Sequence, residues 1–98
     1  MKLMTYMFFL SVLSVLFGCA SGHQLTSQAQ NIEVVKSKPS GCTAVAKVKG
    51  IHKEGSLDLA KNMARNLAAK KGATKVYFSE TYSNGSTWTA IAEAFKCD

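Results

Sequence analysis

Residues 56–85 read SLDLAKNMARNLAAKKGATKVYFSETYSNG, and this stretch decides the fold. Ser56 is a residue type that caps helix N-termini through its hydroxyl, and Asp58 follows where a carboxylate opposes the helix dipole. Leu57, Ala60, Met63, Ala64, Leu67 and Ala68 then recur at three- and four-residue spacing, which predicts a helix with one apolar face. Lys61, Asn62, Arg65 and Asn66 fall elsewhere on it. Lys70 and Lys71 close the pattern, and Gly72 offers the left-handed cap. The period then changes. Residues 74–82 are rich in β-branched and aromatic side chains and read as a strand. Asn84-Gly85 is a hairpin signal, because a type I′ turn needs positive φ at both central residues.

Working outward, residues 86–97 supply the returning strand. A two-residue Asn-Gly loop pairs Phe78 with Ile91 and Val76 with Glu93. A longer loop instead sets Val76 and Phe78 against Trp88, Ala90, Ala92 and Ala94. One residue of slip exchanges the faces, and both registers stay open at this level. Upstream, residues 32–36 form a short strand candidate, and Pro39 and Gly41 mark a turn. Residues 42–51 alternate, with Lys47 and Lys49 on one face and Ala44, Ala46 and Val48 on the other; Cys42 is in phase with the apolar set. The order is β-β-α-β-β: a small α+β domain over residues 32–98, with one helix packed on a mainly antiparallel sheet.

The N-terminus has a different character. Met1-Lys2 precedes an apolar run over residues 7–17, broken only by Ser11 and Ser14. That is the layout of a secretory signal peptide, here residues 1–18, and it falls short of the roughly 20 apolar residues of a membrane span. Leu16-Phe17-Gly18-Cys19 resembles the lipobox of bacterial lipoproteins. The resemblance implies that the Cys19 thiol takes a diacylglyceryl group and that the chain is cut before it, leaving a palmitate-type anchor. Phe17 is bulkier than the usual residue there. Ala20, where an Asp would imply inner-membrane retention, implies the outer membrane with the domain facing the periplasm. Residues 20–31 are polar and aperiodic and read as a flexible tether behind the lipidated cysteine.

The 98-residue chain carries a formal net charge of +6. Export and cleavage leave one small domain. Its lysines are dispersed, with no Arg-rich or aromatic-interleaved strip of the kind that binds nucleic acid. A basic surface suits phosphates of lipopolysaccharide or acidic cell-wall polymers; Lys47, Lys49, Lys61, Arg65, Lys70 and Lys71 are the candidate contacts. In an oxidising compartment cysteines pair. With Cys19 lipidated, Cys42 and Cys97 remain, and their bond closes a loop of about 56 residues, worth about 4 kcal/mol by the chain-entropy estimate. The rival, a metal site, needs more ligands than Cys42, Cys97 and His52 offer.

Three pieces carry a further resemblance: Cys42 at a strand start, the run RNLAAKKGA at residues 65–73, and AEAFKC at residues 92–97. Together with the lipobox they resemble a family of small proteobacterial lipoproteins built on a domain of unknown function. That family is distantly similar to the outer-membrane lipoprotein that senses envelope stress for the Rcs phosphorelay. The resemblance implies a lipid on Cys19 and a bridge between Cys42 and Cys97. It implies a role in envelope structure or stress response without naming one. Arg65 and Asn66 fall in the shared helix motif, where hydrogen bonds to loop carbonyls would hold the helix end in place.

No catalytic set stands out. His23 lies in the tether and His52 in a loop. Ser56, His52 and Asp58 are too close in sequence to converge as a triad, and no phosphate loop, carboxylate pair or metal-ligand spacing is present. Trp88, Tyr77 and Tyr82 read as cross-strand packing rather than as one exposed patch. The expectation is therefore a non-enzymatic protein without cofactor or metal. It acts by contact with an unknown envelope protein, or alternatively binds an anionic polymer.

Overall fold

The computed structural model describes residues 23–97. The signal peptide, Cys19 and the first part of the tether lie outside the described residues. The elements are α1 (Ser27–Gln30), β1 (Glu33–Val35), β2 (Cys42–His52), α2 (Leu57–Lys70), β3 (Lys75–Asn84) and β4 (Thr87–Cys97). The sheet runs β1-β3-β4-β2. The short β1 lies parallel to β3, while β4 is antiparallel to both β3 and β2. One main helix on a mostly antiparallel sheet is the expected α+β arrangement, with the one-turn α1 added before it.

The main helix begins and ends as its sequence dictates. Ser56 Oγ accepts from the Leu59 N–H at 3.2 Å, and Asp58 lies in the first turn. At the other end Gly72 adopts φ +80°; its N–H donates to Ala69 O and the Ala73 N–H to Ala68 O. These are the paired bonds of a Schellman cap. The helix lays Ala60, Ala64 and Ala68, all fully buried, on strand residues that are themselves small: Ala90, Ala92 and Ala94. Val76 is the largest fully buried side chain.

So small a core lets backbone approach backbone, and Gly50 marks the closest point. A Cβ added there would sit 1.8 Å from Ala60 O and 2.7 Å from Ala64 N. No side chain fits that gap. A glycine inside a strand often marks such an approach.

The hairpin corrects one sequence expectation and resolves another. Asn84 pairs with Thr87, so the two loop residues are Gly85 and Ser86 rather than Asn84 and Gly85. Gly85 alone has positive φ, +63°, the pattern of a two-residue loop that opens on glycine. That loop by itself would pair Phe78 with Glu93. A bulge at Ser79 restores the phase, so that Phe78 meets Ala92 and Val76 meets Ala94. The apolar faces align because an extra residue absorbs the slip.

The segment read as a flexible tether also needs correction. From His23 onward it is fastened to the domain. Ala29 is fully buried and Ile32 nearly so. Thr26 caps α1, accepting from the Ala29 N–H. The polar composition that suggested a loose chain instead serves backbone hydrogen bonding to the helix.

Candidate interaction surface

Two polar side chains on α2 hold the N-terminal segment. Asn66 Oδ1 accepts from the Thr26 N–H at 3.0 Å, and Asn66 Nδ2 donates to Gln24 O at 2.7 Å. Arg65 Nη2 donates to the carbonyls of Ala29 and Ile32 at 3.2 and 3.3 Å. From the segment itself, Gln28 Nε2 returns a bond to Ala69 O. Arg65 and Asn66 thus do bind backbone carbonyls, but those of residues 24–32 rather than of a loop at the helix end. Asn66, expected off the apolar face, is buried because it satisfies a buried backbone.

The same segment guards a sheet edge. β2 is an outer strand, and at Ile51 both backbone groups are taken. His23 Nε2 donates to Ile51 O at 2.7 Å, and the Ile51 N–H donates to Met63 Sδ at 3.4 Å. His23 packs edge-on against His52, ring centroids 4.8 Å apart. His52 Nδ1 accepts from the Ser56 N–H. A cleft of about 520 Å³ lies beside them, lined also by Lys53 and Glu54. Both imidazoles use a ring nitrogen to hold backbone, so they serve the edge and the loop. Ser56 Oγ points to its own helix cap rather than to His52. With a bulge at Val45 and lysines along the strand, these contacts blunt an edge that would otherwise template pairing.

Cys42 and Cys97 face each other across β2 and β4 with Cα atoms 4.4 Å apart, and they form a disulfide. That spacing is the close one of an antiparallel pair. The bond removes both thiolates from the metal alternative.

The sheet face away from α2 is the open one. Its cross-strand rows run Glu80–Ile91–Lys49, Tyr82–Thr89–Ile51, Tyr77–Glu93–Lys47 and Lys75–Phe95–Ala44. The link from β1 to β2 reaches this face at one end, where Lys38 pairs with Glu93 at 3.4 Å. Lys75 lies 4.0 Å from Glu33. Thr89 and Phe95 are buried on this side, although no helix among the described residues covers it, while Tyr82 is 42% exposed. Ile91 and Tyr77 are half-buried; Lys47, Lys49 and Glu80 are exposed.

The six basic candidates do not gather. Lys47 and Lys49 stand on the open face. Lys61 lies over the Phe78 ring at 5.4 Å, and Lys70 and Lys71 are exposed at the end of α2. Arg65 is committed to carbonyls. The aromatic trio separates too: Tyr77 and Tyr82 are on the open face, while Trp88 is in phase with the alanines on the helix side. Sequence reasoning did not single out Glu80 and Ile91, which share the open face with Lys49; their pairing follows from the Gly85-Ser86 loop rather than from an Asn84-Gly85 one.

The fold and its bridge define a class: a small two-layer α+β domain with one helix, an open sheet face and a cross-strand disulfide. No family model matches the chain, and no curated protein matches it. Among solved structures it is similar to the N-terminal domain of STM1478 from Salmonella typhimurium LT2, at TM-score 0.54 and 15% identity over 67% of this chain and 97% of that one. It is also similar to the secreted protein STM0082 of the same organism, at TM-score 0.49 and 19% identity over 57% of each chain. The first likeness is one of fold.

Proposed function

We propose that this chain is a non-enzymatic, lipid-anchored envelope protein that acts by contact, and that its open sheet face is the contact surface. The observation that carries the proposal is that face: half-buried Ile91 and Tyr77 flanked by exposed charges, on the side that α2 leaves uncovered. The lipobox-like Leu16–Cys19 stretch supports the anchor, and the resemblance to small envelope lipoproteins supports the compartment. The polymer alternative draws less support. Its lysines divide between two faces, so one polymer strand cannot engage them together.

Two measurements test this. Cys19→Ser should leave the precursor uncleaved and unlabelled by radioactive palmitate; normal processing would remove the anchor from the proposal. A photo-crosslinker replacing Ile91 in the full chain should capture a protein in cells, while one replacing Lys70 should not. Retention on lipopolysaccharide or peptidoglycan that falls steeply with salt, without a protein adduct at position 91, would favour the polymer instead.

A further inference from the structure

We propose that the occupant of the open face is a second copy of this chain, docked sheet to sheet about a two-fold axis along β4. The inference rests on the contact function proposed above and names its partner. It starts from the row Glu80–Ile91–Lys49. Glu80 and Lys49 flank Ile91 on the same face, both exposed, and neither makes an ion pair among the described residues. Two strand spacings of about 4.8 Å separate them, with Ile91 between.

A two-fold axis along the strand direction preserves height and exchanges left for right. It lays the row on itself reversed. Ile91 meets the partner's Ile91, Lys49 meets the partner's Glu80, and Glu80 meets the partner's Lys49. The row Tyr82–Thr89–Ile51 behaves the same way, with Tyr82 over the partner's Ile51. Tyr77 falls over the partner's Lys47, an arrangement suited to cation–π attraction. An axis across the strands at the level of Ile91 would instead set lysine on lysine. Of these two arrangements the one along β4 is complementary for this row, and it is closed, as isologous pairs are. Glu93, which would meet its own copy, already has Lys38.

The patch is small, so the dimer is weak in solution and favoured where chains are concentrated on a membrane. Sedimentation equilibrium of the full chain in detergent micelles reads it. Lys49→Glu and Glu80→Lys each replace two attractions by two repulsions, and each should weaken self-association about tenfold. The double substitution Lys49→Glu/Glu80→Lys restores both pairs and should return affinity to within about threefold. Lys70→Glu, on the far layer, should change nothing. Single reversals without effect, or a double that fails to recover, overturn the proposal.

In cells, a photo-crosslinker at position 91, or at exposed Tyr82, should give an adduct of twice the chain mass that joins two differently tagged copies. An adduct with another protein alone overturns the second-copy inference and leaves the contact function standing. No adduct at either position overturns both.

Discussion

The two faces of one sheet are built on opposite plans. Beneath α2 the contacts are mainly alanine on alanine and glycine on backbone, with Val76 the largest fully buried side chain among the described residues. Fit there is strict, because an interior packed as densely as a crystal has no slack for an added atom. On the other face Tyr77, Tyr82, Ile91, Lys47, Lys49 and Glu80 are large and partly or fully exposed. The first face tolerates little change; the second buries Thr89 and Phe95, and its exposed residues form the proposed contact surface. Substitutions should divide accordingly.

Gly50 tests the covered face hardest. Gly50→Ala drives a methyl into the backbone of Ala60 and Ala64. The helix must lift along its length rather than repack one side chain. The expected loss is on the order of 4 kcal/mol, at the upper end for a single substitution, and chemical denaturation measures it. A loss below about 1 kcal/mol would mean that the helix stands farther from β2.

The bridge comes next. Removing both sulfurs with Cys42→Ser/Cys97→Ser leaves no unpaired thiol and frees a long loop in the unfolded chain. The expected cost is about 2–4 kcal/mol, large against the stability of a small domain. A comparison of unfolding midpoints for the wild type and the double variant gives the answer.

Asn66 ranks third. Asn66→Ala strands the Thr26 N–H and the Gln24 carbonyl, at a cost of about 1–3 kcal/mol. The effect should also be local. Amide exchange should speed up over residues 24–32 while the strands stay protected, because the segment can detach without opening the sheet. Uniform loss of protection would instead join the segment to the core.

These sites also show what the sequence could and could not disclose. The helix was legible because Ser56, Gly72 and the alanine period are local signals, each read within a turn or two. The succession of strands along the chain followed from alternation, though not their order in the sheet, and the bridge followed once Cys19 was set aside. Three features were not legible. The Ser79 bulge has no residue signature, and it lets Phe78 meet Ala92 on the helix side while Glu80 meets Ile91 on the open side. The docked segment at residues 23–32 looks polar because its partners, Asn66 and Arg65, lie far along the chain. Gly50 sits in a strand that reads well without it, and only the helix opposite explains it. Local chemistry announces itself; contacts between distant segments do not.

The open face supplies the smallest effect on folding and the sharpest contrast. Lys49 is exposed and makes no ion pair among the described residues, so Lys49→Glu should shift stability by no more than about 0.5 kcal/mol. Glu80→Lys should behave alike, since surface charges away from buried networks cost little. The same two variants are expected to weaken self-association. A single denaturation series and a single sedimentation series on these proteins therefore separate the two roles of the sheet. Unchanged unfolding with lost association assigns Lys49 and Glu80 to the contact surface. Lost unfolding stability would instead assign them to the fold, and the division between a face that holds the domain together and a face that meets a partner would fail at its simplest point.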